Sequence, residues 1–427
     1  MRKISKKVWF GVIGAILILA LIWLTLTDNP IIWPIRNTIQ YRIFALWGNT
    51  QLTADTSGTL QGVVRDNQDQ PIKGAWILVA RRDGSTYSTR SDATGHYSIG
   101  NIPPGTYRPV ASAPGFDSVQ FGRGLFNQIK IRAEEQTTAD VTLPPEPTHI
   151  VTPGQDFRLT EPTTLTCTHP FETRATRRQI HFKSGDQPNQ AAFYYTPITA
   201  TTTSQLPMLL AIYPGPADSW ECASLPLATA GYAVLATGPA YSFDLETDID
   251  ELERLLNFIR EKRFPGSDGS QIAILGGSYS SLHVQRLLQR GQKVNAALLL
   301  GPPTDLFDMR RRLENGSYIP PFGLDQALIA LGFPDREPLR YYRYSGAYHV
   351  RSDFPPLAIL HSRSDEVVPY QQSELLADSL DQVGATYEIH FFDGASHYLL
   401  AEGADADTLK IYQITLDFLA QHLEQNH

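Results

Sequence analysis

Ser278, Asp365 and His397 have the side chains that nucleophilic acyl transfer requires, and each follows a short apolar run. Ile274-Leu275-Gly276-Gly277-Ser278-Tyr279-Ser280 reads as a buried strand that turns into a helix. A nucleophile elbow needs small residues two before and two after the serine, so that strand and helix can close on each other. Gly276 meets the first requirement, and Ser280 stands where glycine is more usual at the second. Asp365 follows the run Leu357–His361, and His397 follows the run Tyr387–Phe392. Acid and base therefore leave the carboxyl ends of two strands, where loops of an open sheet face a site. The chain order is serine, acid, histidine. In that arrangement His397 takes the Ser278 proton and later returns it to the leaving group, while Asp365 fixes the imidazole tautomer. Glu366 is the rival acid, but one residue further on it would need a different loop. His283, on the elbow helix, and His361, at a strand end, have no place in the order and read as structural.

An acyl-transfer site also needs donors for the developing oxyanion. The amide of Tyr279, directly after the nucleophile, is the first. The second is expected from the loop Tyr213-Pro214-Gly215-Pro216, where two prolines remove two amides. Gly215 is the only backbone donor left among those four after Tyr213, and the Tyr213 phenol is the better candidate.

These residues need a scaffold, and from Leu206 onward apolar strand runs alternate with helical patterns, as a mostly parallel α/β sheet requires. Strands are expected at Met208–Tyr213, Ala233–Thr237, Ile272–Leu275, Ala296–Leu300, Leu357–His361 and Tyr387–Phe392. Helices are expected at Ala217–Ala230, Leu245–Lys262, Ser278–Arg290, Gln371–Val383 and Ala406–His422. The second helix opens on Asp248, Asp250 and Glu251 and closes on Arg260, Lys262 and Arg263. That polarity suits the helix dipole and needs no ligand. Upstream, residues 58–145 carry closely spaced turn signals around β-type runs at Leu60–Val64, Trp76–Ala80, Tyr97–Ile99, Tyr107–Ala111 and Ala139–Leu143. This is the pattern of a small all-β sandwich.

Two resemblances follow from these residues. Gly62-Val63-Val64, Pro71 to Ala75, Ser91 to Ile99, Asn101 to Tyr107 and Ala113 to Phe116 resemble the carboxypeptidase-regulatory-like (transthyretin-like) family, whose domains are usually non-catalytic companions. Leu209 to Pro216, Gly276 to Ser280, Leu360 to Asp365 with Val368 to Ser373, and Asp393 to His397 resemble the catalytic domain of the prolyl-oligopeptidase and dipeptidyl-peptidase family. The second resemblance covers residues 180–427 and implies an α/β-hydrolase fold with Ser278, Asp365 and His397 as triad. It also implies that the Tyr213 hydroxyl and the Tyr279 amide form the oxyanion hole. The sequence departs from that family at Ser280 and at Ser362, where His-Gly is expected. The family's peptidases usually add a β-propeller, for which residues 58–143 are too few. Dienelactone-hydrolase-like and acetyl-xylan-esterase-like proteins share the skeleton, so a peptide and a small ester both stand as substrates.

Residues 302–356 interrupt the sheet and are expected to form a helical cap. Their seven arginines and seven acids balance within an otherwise acidic domain. Arg310 and Arg311 are candidate contacts for a substrate carboxylate, and Tyr341 and Tyr342 for an acyl or side-chain pocket; a solvated helix face and ordinary packing are the competing readings. Residues 146–179 read as a linker.

Val8 to Leu26 is nineteen residues without a charge. At about 1.5 Å per residue it is long enough to cross a hydrocarbon core. It is longer than a signal peptide's apolar region and lacks a small-x-small cleavage site, so an uncleaved anchor over residues 1–27 is the expectation, with secretion after cleavage as the alternative. Arg2, Lys3, Lys6 and Lys7 before it place the N-terminus in the cytoplasm and the rest outside. Residues 28–57 carry an amphipathic juxtamembrane pattern: Ile35, Ile39, Ile43 and Leu46 or Trp47 recur at helical spacing. It suits either the headgroup layer or a stalk packed on the next domain.

The 427 residues carry a net charge of −8; taking off the four basic head residues leaves −12 on the rest. A body that acidic argues against a nucleic-acid binder. Two cysteines, Cys167 and Cys222, exclude a disulfide-dense scaffold and a cysteine-rich metal centre, and outside the cell they are free to pair. No metal or organic cofactor is implied, and no partner of the sandwich is legible. The reading is a membrane-anchored, outward-facing serine hydrolase working through an acyl-enzyme. A surface binding protein with an inactive hydrolase fold is the rival of another class.

Overall fold

The apolar runs that flank Ser278, Asp365 and His397 form the middle of one sheet in the computed structural model, which describes residues 29, 32–47, 56–168, 172–184, 187–188, 192–238, 245–321, 325–394, 396–397 and 406–424. The chain divides into two compact units, Met1–Pro145 with Phe322–Arg340, and Glu146–Pro321 with Tyr341–His427.

In the second unit the strands are β1 (Thr173–Ser184), β2 (Ala192–Pro197), β3 (Leu206–Ile212) and β4 (Ala233–Thr237), followed by β5 (Ser267–Gly277), β6 (Ala296–Leu300), β7 (Leu357–Ser362) and β8 (Tyr387–Phe392). They lie side by side in the order 1-2-4-3-5-6-7-8. β1, β2 and β4 pair antiparallel, and every step from β4 to β8 is parallel. Buried on both faces, β4 and β6 are almost wholly aliphatic, as parallel strands covered by helices must be.

Strand alternation sorts the core into two layers. Leu209 and Ala211 of β3 pack with α1 (Glu221–Thr229) and α6 (Ala406–His422) through Leu225, Leu227, Ile411 and Phe418. Met208, Leu210 and Ile212 pack on the opposite side with α2 (Leu245–Arg260), α3 (Ser280–Gln289) and α5 (Gln371–Val383) through Ile249, Leu252, Val284, Leu287 and Leu376. Each such aliphatic side chain contributes about 1.5–3 kcal/mol when fully buried.

The reading of residues 146–179 as a linker is corrected: Gln155–Leu159, Thr163–Cys167 and most of β1 extend the sheet on its antiparallel side. Their threonine-rich, half-exposed pattern carries little apolar periodicity, so the pairing was not legible. Thr163–Cys167 is tied to the first turn of α1 by a Cys167–Cys222 disulfide across 55 residues. Between β6 and β7 lie the helices α4 (Leu306–Glu314), Asp325–Ala330 and Pro338–Arg343, and Phe322–Arg340 of this insertion belongs to the other unit.

The first unit is a small β-sandwich. Gly58–Asp66 pairs with His96–Ile102 and Val141–Leu143, while Trp76–Ala80 pairs with Thr86–Arg90 and Val110–Ser112. Leu60, Val64, Ile77, Val79, Ile102 and Leu143 meet between the sheets. The run expected as one strand over Tyr107–Ala111 is split into Gly105–Tyr107 and Val110–Ser112. Pro109 has no N–H to give a ladder, which breaks the run there. The unit also holds the helix Ile32–Trp47. No helix among the described residues is long and apolar enough to cross a membrane, and Val8–Leu26, the expected span, lies outside those residues.

Candidate active site

β5 ends in the elbow. Ser278 has a φ of +52°, a left-handed conformation that a serine adopts at a cost and that lifts its side chain off the strand. Its amide donates to the Leu300 carbonyl of β6, and the Ser281 hydroxyl donates to the Gly276 carbonyl, so the turn is fastened on both sides. A Cβ on Gly276 would stand 2.7 Å from the Ser280 carbonyl oxygen and from Val284 Cγ2. This is why that position takes glycine. Ser280 itself is fully buried in the first turn of α3, at the position where an elbow more usually has glycine.

The three sequence-predicted catalytic side chains converge. His397 Nε2 lies 2.7 Å from Ser278 Oγ, and its Nδ1 lies 2.7 Å from Asp365 Oδ2. Ser278 is half-buried, whereas the Asp365 and His397 side chains are buried, so the nucleophile is the member that faces outward. Asp365 Oδ1 accepts the amides of Val367 and Val368 at 2.8 and 2.7 Å. Glu366 is exposed and takes no part.

His361, read from the sequence as structural, touches the acid. Fully buried at the end of β7, it places Nε2 3.2 Å from Asp365 Oδ2 and 3.0 Å from the Val368 carbonyl oxygen. Two acceptors on one nitrogen require that nitrogen to carry the proton. Its Nδ1 then accepts from the Ser373 hydroxyl at 2.6 Å. The signal was present in the sequence, since His361 and Asp365 lie four apart around one turn, but chain order alone does not show a side chain returning. Asp365 thus receives donors on both oxygens. Burial pushes its carboxyl up, but the hydrogen bonds from His361 and His397 outweigh that and hold it well below the usual carboxylate range.

The Tyr279 amide sits where β5 turns into α3, at the positive end of the helix, as an oxyanion donor should. Tyr213 does not join it. Its hydroxyl pairs with the Ser224 hydroxyl at 2.9 Å, its ring stacks on Trp220 at 5.3 Å, and burial pushes its phenol up. It continues the Leu209–Ala211 alternation, which delivers its side chain to the α1 layer of the core. The expectation of Tyr213 in the oxyanion hole is corrected accordingly. The Gly215 amide is turned back on the Tyr213 carbonyl.

The four candidate substrate contacts are placed in packing. Arg310 is fully buried and paired with Glu314 at 2.7 Å, and Arg311 pairs with Asp308. Tyr341 packs on Phe307, and Tyr342 on Tyr348 and His349. His283 is buried beside Asp248 at 3.0 Å and joins α3 to α2. Among the described residues one group has converging metal-type donors, His149, Asp250 and Glu253. The Arg290 guanidinium fills it, 2.7, 2.8 and 3.4 Å from the three.

Comparison with known proteins agrees in kind. Residues 59–144 match the carboxypeptidase regulatory-like domain, and residues 249–426 match the prolyl oligopeptidase family. A Bacillus subtilis protein named "Uncharacterized peptidase YuxL" is 24% identical over 211 residues, covering 46% of this chain. The chain spans 31% of that relative's length. Among solved structures, Thermogutta terrifontis esterase 2 phosphonylated by sarin is similar over 55% of this chain and 92% of its own, at 17% identity and a TM-score of 0.45. Its propionate-bound form is similar over 57% and 94%, at 19% identity and a TM-score of 0.44.

Proposed function

We propose that this serine hydrolase, whose residues 249–426 match the prolyl oligopeptidase family, cleaves an amide or ester bond through an acyl-enzyme on Ser278, at the outer face of a membrane that holds its N-terminus. The observation that carries the chemistry is the 2.7 Å approach of His397 Nε2 to a serine held at positive φ. His397 takes the hydroxyl proton as Oγ bonds to the acyl carbon. The Tyr279 amide faces the oxyanion. The carbon–nitrogen or carbon–oxygen bond then breaks, and the leaving group departs with the proton from His397. Water, deprotonated by His397, repeats the attack and frees the acid and Ser278. Asp365 holds the tautomer, and His361 with Ser373 positions Asp365.

The outward placement is supported by the uncharged run Val8–Leu26 behind four basic residues. The Cys167–Cys222 bridge, which belongs to oxidising compartments, supports it independently. The name of the Bacillus relative favours a peptide substrate. Turnover of aminoacyl and prolyl anilides set against p-nitrophenyl esters, each with a Ser278→Ala control, tests the reading. Anilide cleavage lost in the variant supports the peptidase. Acetate-ester cleavage with no anilide turned over makes it an esterase, and turnover of neither class above the variant's level refutes catalysis.

A further inference from the structure

The helix Ile32–Trp47 has one face committed and one face bare. On the committed face Trp33 and Asn37 are buried: the Arg340 guanidinium lies 3.9 Å over the Trp33 ring, and Asn37 Nδ2 donates to the Ala330 carbonyl at 3.0 Å. Arg36 pairs with Glu337 at 2.8 Å, beside them. All of these partners come from Phe322–Arg340, within the same compact unit, so the helix is fixed and cannot roll to bury its other side. On that other side Ile35, Ile39 and Ile43 are 59%, 55% and 44% exposed. At about 100° per residue the three isoleucines and Arg42 fall within an arc of roughly 100°. Arg42 is exposed and makes no ion pair among the described residues.

We infer that this face lies on the surface of an anionic lipid bilayer, the isoleucines in the acyl–headgroup boundary and Arg42 on a lipid phosphate. The inference rests on the proposed anchor. Five residues separate Leu26, the end of the apolar run, from Ile32. Fully extended, that stretch reaches at most about 21 Å, so the helix starts close to the point where the run leaves the hydrocarbon. Chemistry favours lipid over a second copy of the chain. A two-fold pairing of this stripe would bury two Arg42 side chains against an otherwise apolar contact, whereas a phosphate neutralises each one and the isoleucines enter below it. Docked in this way, the helix would hold Phe322–Arg340, an insertion of the hydrolase sequence, at the lipid surface.

The described structure has no free cysteine, so Ile39→Cys in the full chain takes a thiol-reactive fluorophore at that site alone. The labelled protein is reconstituted into phosphatidylcholine vesicles with and without phosphatidylglycerol, and each is prepared with a nitroxide-bearing lipid. Carbonate-resistant protein with blue-shifted emission, quenched at least threefold and more strongly with phosphatidylglycerol, is the expected result; Arg42→Glu should lessen the quenching and remove the lipid preference. Carbonate-resistant protein whose label stays unquenched overturns the inference and leaves the anchor standing. Disulfide-linked dimers at Ile39→Cys without quenching assign the face to a second copy and overturn it too. Release of the protein by carbonate overturns anchor and inference together.

Discussion

Asp365→Asn should nearly abolish turnover without unfolding the protein, and the reason lies in its four donors. The amides of Val367 and Val368 reach one oxygen, and His397 and His361 reach the other, at 2.7–3.2 Å. An asparagine has one acceptor and one donor end, so either orientation sets its NH2 against a pair of donors. With the oxygen toward the two amides, the NH2 faces His397 Nδ1 and forces the other tautomer. Nε2 then carries the proton and donates to Ser278 in place of accepting from it, so the base is lost. A wrong-tautomer triad typically loses about 10⁴ in kcat. That is about 5.5 kcal/mol of transition-state stabilisation. The stability loss should be about 1–3 kcal/mol, the cost of one frustrated buried group. kcat/KM on a p-nitrophenyl ester measured beside a urea melt separates the two effects. A variant within tenfold of the parent, with an unchanged melt, would refute the role given to Asp365.

Tyr213→Phe should leave kcat within about threefold and cost about 0.5–1.5 kcal/mol of stability, because the hydroxyl it loses serves Ser224; a hundredfold fall in kcat would restore Tyr213 to the oxyanion hole. Burial lowers His349 to about 4 and raises Asp305 to about 6. The His349 contribution is present above its unfolded value near 6.5 and lost as pH falls toward 4, whereas protonation of Asp305 favours the folded state as pH falls from 6 toward 3.8. The two largely cancel, so His349→Gln should gain stability relative to the parent as pH drops from 6.5 to 4.5 in denaturant melts, and a parallel pH dependence in both proteins would contradict this. Cys222→Ser opens a 55-residue loop and should cost about 4 kcal/mol, read as a lower urea midpoint that dithiothreitol reproduces in the parent.

The parts of the fold that were legible are those in which one periodicity dominates. β4, β6, β8, α5 and α6 stand at the residues where apolar runs and helical spacing put them. The convergence of Ser278, Asp365 and His397 was legible because each follows such a strand, and strand ends locate side chains that are far apart in sequence. What stayed hidden depends on contacts that no spacing encodes. Thr163–Cys167 and β1 are half-polar strands whose pairing is set by their partners. The direction of the Tyr213 side chain follows from the register of β3, where a one-residue change of phase would have sent it to the opposite layer. His361 works through a return of the chain at Val368 and Ser373, visible only once the loop is closed.

The most direct measurement is peptide mapping of the folded protein after reaction with a fluorophosphonate. A serine hydrolase with this triad should carry one stoichiometric adduct, on Ser278, absent from Ser278→Ala and formed orders of magnitude more slowly in His397→Ala. An unlabelled folded protein, or an adduct that persists when Ser278 is replaced, would contradict it.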